Sequence, residues 1–271
     1  MSCLLMKLKG SVDRNNLSQL NVSSNNALNA SNILSLNRVT SNNNTSMPNT
    51  VSASSHPQPQ TVQSHSSVQT PVPAMAAPTI TSMPLPVLSR SIQKGQKATL
   101  FSLQQAPVLK ACLGWNVLSQ ACDIDVSAFL LGDNDKVIGD AWFVFYGQVQ
   151  SPDASTSFHT DGKSYREAIT IDFKKLNPAV KKIVFVLTIN EAFQKNLNFS
   201  MVKDAYIKLI DEQTQNELVS FKMTDYYSNV ISMMLGEVYA YKDTWKFNAI
   251  GNGVAKDLAG LCSLYGVQID D

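Results

Sequence analysis

The first 90 residues of this chain contain no phenylalanine, tyrosine or tryptophan, and Asp13 is their only acidic residue. They are rich in Asn, Ser, Thr, Gln and Pro instead. A segment of this composition cannot bury enough apolar area to offset the conformational entropy lost on folding. We therefore predict a disordered N-terminal tail over residues 1–90 and a folded domain over residues 91–271, in which Phe101 is the first aromatic residue.

Long apolar runs and cysteine motifs are also missing. The opening stretch MSCLLMKLKG holds an apolar run too short for a secretory signal, and no run approaches the roughly 18 apolar residues of a membrane span. The four cysteines are widely spaced, with no CxxC pair and no Cys/His cluster, which argues against zinc and thioredoxin-like chemistry. We expect buried, reduced thiols, no transmembrane segment and a cytoplasmic location.

Charge is divided unevenly between the two parts. Residues 1–90 carry five basic side chains and one acidic side chain, whereas residues 91–271 carry 17 basic and 20 acidic side chains. The net charge of the folded part is therefore −3, and that of the tail +4. A mildly acidic domain argues against a nucleic-acid-binding surface, and the basic charges of the tail are too sparse to form one.

The stretch from Cys122 to Tyr146, CDIDVSAFLLGDNDKVIGDAWFVFY, predicts two strands joined by a tight loop. The first strand covers Ile124–Leu131 and the second covers residues 141–146. Between them, residues 132–136 form a Gly/Asn/Asp cluster of the kind that turns a hairpin.

Further strands are predicted along the rest of the folded part. Residues 108–115, 167–173 and 181–190 have strand patterns, and residues 205–223 and 232–250 each predict a hairpin. Residues 147–166 form a polar loop whose length suggests a binding role. Near the end, Val254, Leu258, Leu261, Cys262 and Tyr265 follow the spacing of one helix face, and Gly266 can cap it. The predicted fold class is all-β, a two-sheet β-sandwich with a C-terminal α-helix, preceded by the disordered tail.

Acidic residues stand at the entry to both strands of the first hairpin. Asp123 and Asp125 are two residues apart, so in an extended chain their carboxylates share one face. Like charges on one face repel each other unless a cation lies between them. Asp140 precedes the second strand. Without further context, solvated turn positions are the more common explanation for all three residues.

Five blocks stand in uninterrupted order along the folded part: CDIDVSAFLL, IGDAWFVFY, IVFVLTIN, LNFSMVKDAYIKL and MMLGEVYAYKDTWKFNAIGNGVAKDLAGLCSLYGV. Together they resemble the TerD family of tellurium-resistance and general stress proteins, which includes slime-mould cyclic-AMP-binding relatives. The resemblance covers residues 91–269 approximately. It implies a two-sheet β-sandwich that binds calcium through acidic loops, in a cytoplasmic stress-response protein without a settled enzymatic activity.

The resemblance also implies a set of calcium ligands. A hard cation takes about six to eight oxygen ligands. Two departures from the family pattern lie near this set: Trp142 stands where a second acid is usual, and Arg166 stands in place of part of an acidic pair. A guanidinium can neutralise carboxylates as a cation would, so we expect any calcium binding to be weak. The metal ligands that the resemblance implies are Asp123, Asp125, Asp140, Asp153, Asp161 and Glu167.

Three functional hypotheses follow. The first is a calcium-binding stress-response protein that acts with protein partners and is not an enzyme. The second is a metal-free protein-interaction module of the same fold, which Trp142 and Arg166 favour. The third is an enzyme, for which the sequence offers little: His159 is the only histidine of the folded part, and no nucleophile stands at a known spacing from it.

Overall fold

The structure, a computed structural model, describes residues 12–13 and 82–270, with side chains over residues 82–269. Most of the tail predicted over residues 1–90 therefore lies outside the described residues. The described strands are β1 (Val12–Asp13), β2 (Ser91–Ile92), β3 (Lys97–Ser102), β4 (Val108–Val117), β5 (Ile124–Leu131), β6 (Phe143–Val144), β7 (Thr156–Thr160), β8 (Glu167–Asp172), β9 (Lys182–Ile189), β10 (Val202–Asp211), β11 (Glu217–Lys222), β12 (Ser232–Tyr241), β13 (Thr244–Val254) and β14 (Ile269–Asp270).

Twelve of these strands form two sheets of six. Sheet I has the order β2-β11-β10-β4-β8-β7, and sheet II has the order β3-β13-β12-β9-β5-β6. The pairs within the sheets are antiparallel except for β2 with β11. The predicted two-sheet β-sandwich is confirmed. Separately, β1 pairs with β14 in parallel register.

The core lies between the sheets because alternate residues of each central strand are apolar and point inward. On β4 these are Leu109, Ala111 and Leu113, which are fully buried in the main cluster. On β5, Val126 and Ala128 occupy the same layer. The residues between these apolar positions lie on the other face of each strand, and on β5 they include Asp125.

Two helices are present in the described ranges, with one short 3-10 turn at Phe199–Met201. Helix α1 (Ala192–Lys195) is a single turn, and α2 (Leu258–Tyr265) is the predicted C-terminal helix. None of the helices in these ranges is long and apolar enough to cross a membrane.

Helix α2 covers part of the outer face of sheet II. Leu261 and Cys262 are buried there against Phe129 of β5, and Gly266 caps the helix in the left-handed conformation at φ 80°, as predicted. The predicted apolar stripe is wrong at its first residue, because Val254 belongs to β13. Leu258, the next member of the stripe, is only half-buried.

Two local predictions are corrected. The segment predicted to be a polar loop over residues 147–166 contains strand β7, which pairs with β8. The strand is polar on both sides of its buried residue Phe158. The strand predicted over residues 141–146 is reduced to Phe143–Val144, because tight turns close on either side of it.

Candidate functional site

Strand β5 has the bounds that the sequence predicted, and its first half forms an open edge. It pairs with β9 from Ile124 to Leu131, but with β6 only at Ala128 and Phe129. The backbone groups on the other side of residues 124–126 therefore have no strand partner. An unpaired N–H at such an edge needs another acceptor.

Glu167 supplies that acceptor from the opposite sheet. It begins β8, where it shares the inward face with Ile169, and its Oε2 accepts a hydrogen bond of 2.7 Å from the Val126 N–H. Burial raises the pKa of the Glu167 carboxyl to about 8. The Val126 hydrogen bond and the Arg166 charge lower it, whereas the negative charges of Asp125 and Asp123 raise it further. Glu167 therefore bridges the two sheets as a carboxyl group that favours its neutral form.

Asp125 lies on β5, on the face opposite the main core, and is half-buried. Burial raises its pKa to about 7, and the negative charge of Asp123 adds to the shift. Asp123 itself precedes the strand and is exposed. Farther along the same face, Ser127 Oγ is buried without a hydrogen-bond partner among the described side chains. The two aspartates are thus close enough for the charge of one to raise the pKa of the other.

A cleft of about 400 Å³ opens where these residues meet. Asp123, Asp161 and Glu167 line it together with Trp115 and Arg166. It is bounded by the end of β4, the segment before β5 and the turn between β7 and β8. Three of the six predicted ligands therefore line one cleft, and Asp125 couples electrostatically to two of them, Asp123 and Glu167.

Arg166 does not neutralise these carboxylates by direct contact. Its Nε donates a hydrogen bond of 2.6 Å to the Trp115 carbonyl, and its guanidinium lies 5.7 Å from the Trp115 ring centroid. Sequence reasoning missed Trp115, because its carbonyl and ring act only after β4 and β8 have paired. No salt bridge joins Arg166 to an acid in the part of the chain that the structure describes.

Asp161 is fixed by the turn between β7 and β8. Its Oδ2 accepts hydrogen bonds from the Ser164 N–H at 2.7 Å and the Lys163 N–H at 3.3 Å. The Ser164 hydrogen bond is the main reason that the pKa of Asp161 lies below its usual value. Asp161 is exposed at the rim of the cleft, so its carboxylate is charged and faces solvent.

Asp140 and Asp153 do not line the cleft. Asp140 Oδ1 accepts a hydrogen bond of 2.7 Å from the Gln268 N–H, which places it beside the end of α2. Asp153 accepts from Ser151 Oγ, from Ser155 N–H and, through Oδ2 at 2.8 Å, from Asn177 N–H. Burial raises the pKa of Asp153, but these hydrogen bonds outweigh it and the net shift is downward. Each of the two aspartates holds a loop of its own.

The cleft is therefore acidic but not assembled as a coordination sphere. Within residues 82–269, no three His, Cys, Asp or Glu side chains converge closely enough to hold a metal ion. The donors that do gather are carboxylate oxygens, which are the ligands that hard cations such as calcium prefer. Their chemistry fits calcium, although their present positions do not yet surround an ion.

The comparisons with known proteins agree on one family. The TerD domain family matches residues 88–265. The tellurium resistance protein TerD of Serratia marcescens is 36% identical over 193 residues, which cover 67% of this chain and 99% of that protein. General stress protein 16U of Bacillus subtilis is 29% identical over 189 residues, covering 66% of this chain and 98% of that protein.

Among solved structures, a homologue of telluride resistance protein (TerD) from Streptomyces coelicolor superposes with a TM-score of 0.45 at 13% identity, covering 60% of this chain and 99% of that chain. The family match spans both sheets, the acidic cleft and α2. The chain therefore belongs to the TerD family, alongside tellurium resistance proteins and general stress proteins.

Proposed function

We propose that this protein is a calcium-binding stress-response protein of the TerD family, without enzymatic activity, and that calcium binds at the acidic cleft. The observation that carries the proposal is the cleft in which Asp123, Asp161 and Glu167 meet beside Asp125. Burial and the neighbouring negative charges raise the pKa values of Asp125 and Glu167 there to about 7 and about 8. Buried carboxyl groups that repel each other are stabilised by a cation placed between them.

Four residues of the described chain would hold the ion: Asp123, Asp125, Asp161 and Glu167. Glu167 offers its second carboxylate oxygen, because Oε2 is used by Val126. The exposed Asp123 side chain is free to rotate toward Asp125 and Glu167. Asp161 offers Oδ1, because its Oδ2 accepts hydrogen bonds from the Ser164 and Lys163 N–H groups. Backbone carbonyls with water complete the usual six to eight ligands. Bound calcium would place a positive charge in direct contact with these carboxylates, which Arg166 does not do because its Nε is bonded to the Trp115 carbonyl.

Binding is expected to be weak and dependent on pH. Asp125 and Glu167 must lose their protons before they bind a cation, so the affinity should rise as the pH increases from 6 to 8. Because two of the six predicted ligands lie elsewhere, we expect a Kd of roughly 10⁻⁵ to 10⁻³ M.

Isothermal titration calorimetry of the full chain with calcium, at pH 6 and pH 8, tests this. We expect saturable binding that is stronger at pH 8 and that releases protons, seen as different heats in buffers of different ionisation enthalpy. Magnesium serves as the matched control, since its stricter geometry suits this flexible site poorly. The absence of calcium binding at several millimolar and pH 8 would refute the proposal.

The second candidate is a metal-free interaction module with protein partners. The observation that favours it is Arg166, which lies at the cleft and already lowers the pKa of Glu167 by its charge. Under this alternative the arginine provides the positive charge that calcium would otherwise supply. The same calorimetric titration separates the two, because the module gives no calcium heat at either pH.

A further inference from the structure

Residues 82–90, which we call the strap, cross the outer face of sheet I. At one end, the Met83 N–H donates to Asn116 Oδ1 at 2.8 Å, and Asn116 Nδ2 donates to the Met83 carbonyl at 2.9 Å. In the middle, Lys208 Nζ donates to the Val87 carbonyl at 3.1 Å. At the other end, the N–H groups of Ser89 and Arg90 donate to the two carboxylate oxygens of Glu217.

The sheet binds the main chain of the strap more than its side chains. The Leu85 and Val87 side chains are 41% and 78% exposed. Asn116, by contrast, is only 6% exposed, and its amide is held by a further hydrogen bond to Asp204 at 3.3 Å. A buried amide that pairs with both the N–H and the carbonyl of one residue recognises an extended backbone. We call this surface, formed by Asn116 and Lys208, the Asn116 groove.

Proline explains why Met83 suits the groove. The residue before a proline is restricted to extended conformations, which keeps its N–H and carbonyl pointing outward for pairing. Pro84 therefore prepares Met83 for the two hydrogen bonds with Asn116. The carbonyl that Lys208 binds belongs to Val87, four residues after Met83. The groove thus fits the main chain of an extended Met-Pro segment whose carbonyl four residues after the methionine is free for Lys208.

The chain contains this pattern twice. Thr81-Ser82-Met83-Pro84 is followed by Val87, and Thr45-Ser46-Met47-Pro48 is followed by Val51 at the same spacing. These are the only two Met-Pro pairs in the sequence. The two positions that differ between them correspond to Leu85, which is exposed, and Pro86. Neither position contacts Asn116 or Lys208 through a hydrogen bond.

We propose that the Asn116 groove is an exchangeable peptide-binding site and that its second occupant is residues 45–51 of another copy of this chain. Each chain brings two Met-Pro-x-x-Val segments to one groove of this kind in the described part, so one segment is in excess. Ser89 and Arg90 are held by Glu217, and the Arg90 carbonyl also accepts from the Ser220 N–H, so this end of the strap stays in place when residues 83–87 leave the groove. Lys208 then keeps its ion pair with Glu217 at 3.4 Å. Two copies would then be linked through the segment of one chain and the groove of the other.

A labelled peptide of residues 43–53, NNTSMPNTVSA, added to the full chain tests this by fluorescence anisotropy. Met83→Pro removes the N–H that donates to Asn116, so this variant should bind the peptide at least tenfold more tightly than the wild type. Leu85→Pro places the same residue at an exposed position and should bind like the wild type. Adding Asn116→Ala to Met83→Pro should abolish binding.

A second variant tests the proposal independently in case Met83→Pro does not fold. Pro84→Gly keeps every donor but frees Met83 from its extended conformation, and it should also increase peptide binding. In sedimentation experiments, the full-length Met83→Pro chain should associate as its concentration rises, and Pro48→Ala in the same chain should prevent this. Equal peptide binding by all variants, no binding to either strap variant at millimolar concentration, or association that survives Pro48→Ala would overturn the proposal.

Discussion

Replacing Asp125 by asparagine changes one charge at the acidic cleft and nearly nothing in shape. In the folded, metal-free protein the pKa of Asp125 is raised from 3.8 to about 7, first by burial and then by the charge of Asp123. Between these two pH values the folded state keeps a proton that the unfolded state releases. Stability therefore falls as the pH rises through this window, and it is highest below pH 4 with respect to this group.

The size of the effect follows from the shift. Each pKa unit corresponds to about 1.4 kcal/mol, so a shift of this size destabilises the charged, folded protein at pH 8 by up to ~4 kcal/mol. Asparagine cannot ionise, so Asp125→Asn should be more stable than the wild type at pH 8 by roughly 1–4 kcal/mol. At pH 4 the two proteins should differ little, since the wild-type carboxyl is then neutral.

Urea unfolding at pH 4 and pH 8, in the presence of a chelator, measures this difference. Asp133→Asn is the matched control, because Asp133 is an exposed residue of the loop after β5. Its free energy of unfolding should change by no more than about 0.5 kcal/mol at either pH. If Asp125→Asn is destabilised at pH 8, the carboxylate makes a favourable contact and the repulsion argument is wrong.

Calcium gives the second half of the prediction. A ligand that binds only the folded form stabilises it by about 2.7 kcal/mol at a hundredfold excess over its Kd. The wild type should therefore melt at a higher temperature in millimolar calcium at pH 8, and Asp125→Asn should lose this shift while Asp133→Asn keeps it. A full shift in Asp125→Asn would place the ion away from the cleft.

Two further predictions concern packing. Leu261 is fully buried between α2 and the outer face of sheet II, so Leu261→Ala should lower the free energy of unfolding by about 2–5 kcal/mol, whereas the half-buried Leu258→Ala should lower it by less. A loss below roughly 0.5 kcal/mol for Leu261→Ala would mean that α2 does not pack stably. Gly114→Ala would drive a methyl group into the Tyr206 ring and should cost about 1–3 kcal/mol in urea unfolding. Unchanged stability would show that the ring moves aside freely.

Much of the fold was predicted from local sequence patterns. The bounds of β5 follow from an apolar run that ends at a Gly/Asn/Asp turn, and the end of α2 follows from Gly266. Strand β7 was not predicted because it is an edge strand in which one buried aromatic residue, Phe158, stands among hydroxyl and imidazole side chains. Propensity and alternation are weakest where a strand has only one partner and little burial.

The acidic site was harder to predict because its geometry depends on contacts distant in sequence. Glu167 reaches Val126 across 41 residues, and Asn177 holds Asp153 across 24. The first contact exists only after the two sheets have stacked, and the second joins the segments that flank the paired strands β7 and β8. A family resemblance groups acidic residues by their order in the chain, whereas the fold separates those that line the cleft from Asp140, which meets Gln268.

The carboxyl group of Glu167 does more than the fold requires of it. The open edge of β5 needs an acceptor for the Val126 N–H, and Glu167 provides it. A glutamine at this position would satisfy the same N–H through its amide oxygen without placing an ionisable group between two sheets. The sandwich alone therefore gives no reason for a carboxyl group whose pKa is raised to about 8 by burial. Buried ionisable groups of this kind are retained where their charge is used, and a cation in the cleft would use it.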